Sequence, residues 1–105
     1  MKTFSDKAYD LLRKVPEGRV TTYKEIAHAL GTKAYRGVGQ AMRKNPYAPE
    51  VPWHRVVATS GRMGGFQGKT SGASIQRKIK MLKNEGVEVR DGKIKNFEEI
   101  LFRFS

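Results

Sequence analysis

Between Thr22 and Pro46 the chain writes two short helices with three or four residues between them, and that pairing narrows the fold more than any other feature. T-Y-K-E, Thr22 to Glu25, has the form of a capping box. In that motif a threonine hydroxyl and a glutamate carboxylate each satisfy a backbone N–H left without a partner at a helix start. The helix it opens carries Ile26, Ala27 and Leu30 and stops at Gly31. The connection G-T-K-A leads into A-Y-R-G-V-G-Q-A-M-R-K-N-P, where Val38, Ala41 and Met42 form an apolar stripe and Asn45-Pro46 ends the segment. Two short helices joined by a tight glycine-containing turn make a helix-turn-helix over about 22–45. Gly37 and Gly39 sit inside its second helix, each at a cost of about 1 kcal/mol relative to alanine. Close helix packing and close approach of the backbone to a ligand account for them equally well.

Around this unit the pattern predicts one domain over residues 1–105. Phe4, Ala8, Leu11, Leu12 and Val15 recur at helical spacing ahead of the turn Pro16-Glu17-Gly18. Val56 and Val57 suggest a short strand. Ser60 to Gly72 reads as a polar, glycine-rich loop containing Arg62, Phe66 and Lys69. Ser74 is placed to cap a third clear helix whose apolar face is Ile75, Ile79 and Leu82, with Arg77, Lys78, Lys80 and Lys83 over the rest and Asn84-Glu85-Gly86 as its end. V-E-V-R-D-G-K-I-K alternates about Asp91-Gly92, which predicts a hairpin. The tail N-F-E-E-I-L-F-R-F has the makings of a short helix laying Phe97, Ile100, Leu101 and Phe104 on the core.

Lys and Arg number 21 against 10 Asp and Glu, a net charge of +11 on 105 residues. An excess of that size points to a polyanionic partner, nucleic acid first and an acidic membrane surface second. The absence of cysteine removes disulfides, thiolate zinc sites and thiol chemistry. No apolar run approaches the roughly 20 residues that span a bilayer, and M-K-T-F-S-D lacks the apolar segment of a signal peptide. An intracellular, soluble protein is expected, cytoplasmic and nucleoid-associated if prokaryotic, and monomeric.

Groups suited to catalysis are sparse. His28 lies among alanines on a helix, and His54 has neither a cysteine nor a serine nucleophile motif beside it. The two histidines lack close metal-ligand spacing, and no acidic cluster completes a site, so no metal or cofactor is implied. Glu85, in a helix-ending N-E-G, reads as a solvated carboxylate. Trp53, in V-P-W-H-R-V-V, offers an N–H donor and a flat face but no lone pair for attack. Nucleic-acid binding, by contrast, uses what is abundant: cations for phosphates, helix N-termini and aromatic faces. Tyr23, at the start of the first helix of the pair, and Tyr35-Arg36, at the start of the second, lie at those ends; Arg43 adds a further cation.

The segments T-Y-K-E-I-A, Y-R-G-V-G-Q-A-M-R-K-N-P and P-W-H-R-V-V, extended by Gly61 to Gly68 and N-E-G-V-E, resemble the DNA-binding domain of the O6-alkylguanine-DNA alkyltransferases. The resemblance implies a mainly α domain with short β strands, a winged-helix-like helix-turn-helix as in their C-terminal domain. In those enzymes the motif reads Pro-Cys-His-Arg-Val and the cysteine takes the alkyl group. Tryptophan in its place is similar to the alkyltransferase-like branch, which recognises the lesion without removing it and directs it to nucleotide excision repair. Position by position, the resemblance makes Arg36 the finger that fills the gap left by a flipped nucleotide. Tyr23 crowds the 3′ phosphate, and Asn45 braces the turn beneath the active-site loop. Gly37 and Gly39 let the second helix lie close to DNA, in the minor groove. Val51, Pro52, Trp53, His54 and Arg55 would line the pocket for O6-alkylguanine with Tyr23, and Arg62 or Lys69 would face the flipped purine. His54 and Glu85 correspond to the pair that activates the missing cysteine, and here take a structural role. Two other readings are a sequence-specific helix-turn-helix regulator and an active alkyltransferase with another acceptor; an RNA-binding module is a third.

Overall fold

The computed structural model describes residues 2–44, 46, 47, 50–63 and 73–104, with side chains in the last stretch from residue 75 onward. Asn45, Phe66 and Lys69 therefore lie outside what is described; Ser74, expected as a cap, is the second residue of the helix Ala73–Asn84 rather than the residue before it.

The first helix, α1 (Phe4–Leu12), begins at a reciprocal capping box that the sequence reading passed over. The Thr3 hydroxyl accepts the Asp6 N–H at 3.1 Å, and the Asp6 carboxylate accepts the Thr3 N–H at 3.2 Å. Ala8, Tyr9 and Leu12 face inward, and Val15, just past the helix, is also buried. After β1 (Thr21–Thr22) come α2 (Tyr23–Ala29) and α3 (Tyr35–Arg43), the expected helix-turn-helix, packed on each other and on α1. The stripe Val38, Ala41 and Met42 is buried as its spacing requires. The Tyr9 hydroxyl donates to the Ala41 carbonyl at 2.7 Å, tying α1 to the last turn of α3.

Only half of the second capping box forms. Thr22 Oγ1 accepts the Glu25 N–H at 3.1 Å, but the Glu25 carboxylate sits 3.6 Å from the Arg103 guanidinium instead of turning back to the cap. The cation of the C-terminal segment competes for it, and that partner is invisible in a local motif.

A short 3₁₀ turn, Trp53–Arg55, delivers the chain into β2 (Val56–Val57), which pairs in parallel with β1. The two valines show why this strand reads as a continuous apolar pair. Successive strand residues point to opposite faces, and both faces are covered: Val56 joins the core built from α1, α2, α3 and Trp53. Val57 joins a second core of Val20, Met63, Leu82, Val87 and Ile94. On its other side β1 meets the C-terminal segment. Val20 donates to the Ile100 carbonyl at 3.1 Å and accepts from the Phe102 N–H at 2.7 Å. For this reason the tail is helical only over α5 (Phe97–Ile100); Leu101 bridges Val20 and continues alongside β1 rather than completing a longer helix.

The predicted hairpin is present as β3 (Val89–Arg90) and β4 (Lys93–Ile94). Asp91 and Gly92 both have positive φ, 53° and 75°, as a two-residue turn of the primed type needs.

The helix α4 (Ala73–Asn84) carries one correction. Lys78, expected on its solvated side, is fully buried, and its ammonium donates to the Val56 carbonyl at 2.6 Å and to the Met63 carbonyl. It falls three residues after Ile75 and four before Leu82, on the same inner stripe.

Gly61, between Val57 and Met63, takes φ +86°, and a Cβ there would stand 3.0 Å from the Phe97 ring. Gly61→Ala should therefore cost about 2 kcal/mol, combining left-handed strain with a clash near the root of the Phe97 side chain. Urea unfolding measures this, and a loss below about 0.5 kcal/mol, the level of a neutral surface change, would contradict it.

Candidate nucleic-acid interface

The parallel pairing of β1 and β2 brings two chain exits side by side. Tyr23 follows Thr22, and Ala58 follows Val57, so the start of α2 and the segment after β2 share one end of the sheet. Against this end α3 presents its first turn. The result is a concavity of about 430 Å³ lined by Tyr23, Lys24, Tyr35, Arg36, Gly39, Ala58 and Thr59. Four residues expected to contact DNA, Tyr23, Tyr35, Arg36 and Gly39, meet here. Tyr35 is 42% exposed, an uncommon position for a large aromatic ring. Arg36 and Arg43 are exposed, and neither makes an ion pair among the described residues.

The two helix glycines have different surroundings. A Cβ on Gly37 would lie 3.4 Å from the Phe4 ring, an ordinary packing contact that does not itself require a glycine. A Cβ on Gly39 would meet nothing within 4 Å. Gly39 instead leaves the floor of the concavity bare.

Behind the concavity the motif of Val51 to Val57 is mostly interior. Val51 and Pro52 are buried, and Trp53 is 6% exposed, packed in the first core. Its indole N–H donates to the Tyr23 hydroxyl at 3.3 Å. Burial raises the Tyr23 pKa above the ordinary phenol value, against a smaller opposing effect of that bond.

His54 and Glu85 do come together, and the solvated carboxylate read from N-E-G is overturned. Glu85 Oε2 lies 2.7 Å from His54 Nε2, and the Arg55 guanidinium donates to the same carboxylate through Nε at 2.9 Å and Nη2 at 2.8 Å. Burial alone would raise the Glu85 pKa, but the hydrogen bonds from Arg55 and His54 outweigh it and hold the carboxyl below its usual range. Burial lowers the His54 pKa despite Glu85. The imidazole is therefore neutral at pH 7. Because an ionised carboxylate only accepts, the imidazole hydrogen sits on Nε2.

Arg55 is placed differently from the expected pocket wall. Its remaining nitrogen, Nη1, donates to the Val15 carbonyl at 2.8 Å, so the guanidinium joins the end of α1, the 3₁₀ turn and the end of α4. All its nitrogens are engaged within the protein. Arg62 is exposed and its backbone bridges Lys93 of β4. Lys69 and Asn45 lie outside the described residues. Of the residues expected to line the lesion pocket, Tyr23 lines this concavity. Sequence reasoning missed Lys24, Ala58 and Thr59, whose only signal is the strand pairing that brings the two exits together. No described helix is long and apolar enough to cross a membrane.

Residues 3–87 match the family model described as 6-O-methylguanine DNA methyltransferase, DNA binding domain. The chain belongs to that family. It is 40% identical over 90 residues to alkyltransferase-like protein 1 of Schizosaccharomyces pombe, covering 85% of this chain and 81% of that one. It is 38% identical over 87 residues to a bifunctional methyltransferase/endonuclease of Picrophilus torridus, covering 82% of this chain but 28% of that protein. It also spans 53% of the length of the methylated-DNA–protein-cysteine methyltransferase of Sulfolobus acidocaldarius. Among solved structures, S. pombe Atl1 in complex with damaged DNA containing O6-carboxymethylguanine superposes with a TM-score of 0.82 at 35% identity, covering 98% of this chain and 99% of that one. The O6-methylguanine-DNA methyltransferase of Pyrococcus kodakaraensis gives a TM-score of 0.69 at 42% identity, over 83% of this chain and 48% of that one. The relatives therefore include proteins named as methyltransferases and one named alkyltransferase-like.

Proposed function

We propose that this domain is a non-enzymatic sensor that binds duplex DNA carrying O6-alkylguanine and holds the lesion without removing the alkyl group. One observation carries the reading. The chain has no cysteine, while Trp53 occupies the P-W-H-R-V motif with its indole buried and the adjoining His54–Glu85 pair formed. By the resemblance, this motif is where a thiolate acceptor is expected; with no cysteine in the chain, Trp53 is in this reading its replacement, and the His54–Glu85 pair supports that assignment. The likeness to a protein solved with O6-carboxymethylguanine DNA supports the choice of lesion.

In this reading α3 lies in the minor groove over the bare surface at Gly39. Arg36 enters the stack where a nucleotide has rotated out, and Tyr23 crowds the neighbouring phosphate. Flipping costs a few kcal/mol, less for a poorly paired lesion, and contacts in a pocket offset it. Phosphate contacts from Arg36, Arg43 and Tyr35 add affinity with little sequence preference. A lesion held and shielded in this way is passed to nucleotide excision repair; in cells lacking that pathway, the protection this protein gives should disappear.

The direct test is a titration of matched duplexes, with O6-methylguanine or guanine at one position, at fixed salt. Tighter binding of the lesion duplex is expected, with no change in protein mass afterwards. A mass gain of one CH₂ would establish transfer to another acceptor. Equal affinity for both duplexes, or preference for one undamaged sequence or for RNA, would overturn the reading. Arg36→Ala should weaken lesion binding by about tenfold, the scale of a buried anchoring side chain; unchanged affinity would remove it from the finger role.

A further inference from the structure

Tyr23 stands where the interior meets the concavity. It lines the hollow with Tyr35 and Arg36, and its oxygen accepts the indole N–H of Trp53. The polarity of that contact is fixed. An indole nitrogen has a hydrogen to give and no lone pair to offer, so Trp53 must donate and Tyr23 must accept. A phenol oxygen that accepts from the protein interior retains its own hydrogen for another partner. Hydrogen bonds in series also reinforce one another: an oxygen that gives its hydrogen away becomes a better acceptor for the N–H behind it. Burial keeps the Tyr23 hydroxyl protonated at neutral pH, so the hydrogen is there to give.

We propose that Trp53 is a positioning residue, whose N–H sets the Tyr23 hydroxyl as a donor toward the concavity, where it reads a hydrogen-bond acceptor of the bound DNA. The tryptophan then does more than remove a reactive atom. It turns its neighbour into a group that favours acceptors, such as a phosphate oxygen or an unprotonated ring nitrogen, over donors. The inference rests on the DNA-binding reading above, and its test separates the two.

The chain holds one tryptophan, so a ¹⁵N-labelled sample gives one indole N–H resonance and no assignment is needed. In the free protein, Tyr23→Phe should move that resonance upfield and speed its exchange with water. An unmoved resonance would show that the contact is not a hydrogen bond and would end the proposal. On adding duplex DNA to the unaltered protein, the resonance should move downfield as the Tyr23 hydroxyl donates onward. A downfield shift with both guanine and O6-methylguanine duplexes identifies a backbone acceptor, and a shift with the lesion duplex alone identifies one on the flipped base. A DNA complex that forms with the indole resonance static or shifted upfield would overturn the inference while leaving the binding reading intact; loss of lesion preference would do the reverse. Trp53→Phe and Tyr23→Phe should each weaken binding about fivefold, the effect of one hydrogen bond, and the double variant should be no weaker than the poorer single one. Additive losses would assign Trp53 a packing role only.

Discussion

Replacing Glu85 with glutamine should destabilise the protein by roughly 3 kcal/mol, the low end for breaking a buried ion pair. The carboxylate takes two hydrogen bonds from Arg55 and one from His54, and the Arg55 and Glu85 side chains are 17% and 10% exposed. The amide keeps the shape but loses the charge, and it cannot accept on both ends as a carboxylate does. Arg55 is then left largely out of water with a full charge and only neutral carbonyl acceptors, those of Val15 and of the amide itself. A surface pair would lose at most about 1 kcal/mol, so urea unfolding discriminates clearly. Arg55→Met in the Glu85→Gln background should recover part of the loss, because it removes the stranded charge. A loss below 1 kcal/mol for Glu85→Gln would show that water reaches the cluster freely.

Lys78 predicts an unusual dependence of stability on pH. Burial pushes its ammonium from 10.5 down to about 7. Between these values the unfolded chain holds a proton that the folded chain has released, so unfolding takes up a proton and rising pH favours the fold. Below about 7 both states are charged and the dependence vanishes. The slope across the window is at most about 1.4 kcal/mol per pH unit. Unfolding free energies at pH 7 and pH 9.5 should therefore increase in the unaltered protein and stay flat across that interval in Lys78→Met. Parallel slopes in the two proteins would place the titrating group elsewhere. The ammonium ties α4 to the carbonyls of Val56, in β2, and Met63.

What was legible in the sequence was local. The stripe Val38, Ala41 and Met42 needs only a helical period, and the hairpin needs only Asp91-Gly92 between alternating residues. Lys78 was misread because lysine is assigned to solvent by its charge, although its place between Ile75 and Leu82 put it on the inner stripe. Glu85 and its partners lie about thirty positions apart, so the residues alone gave a solvated carboxylate and only the family motif paired it with His54. Arg55 escaped both routes, because its third contact, Val15, belongs to neither motif. Lys24, Ala58 and Thr59 entered the concavity through the pairing of β1 with β2, and two-residue strands leave too little pattern to announce a parallel register.

The place of the C-terminal segment beside β1 has a consequence for how the protein is made. Thr21 donates its hydroxyl hydrogen to the Phe102 carbonyl across 81 residues, and Val20 is held between Ile100 and Phe102. Contacts of such long separation close late. During synthesis the helix-turn-helix leaves the ribosome with one flank of its central strand bare, and that edge stays open to other chains until residues 100–102 emerge.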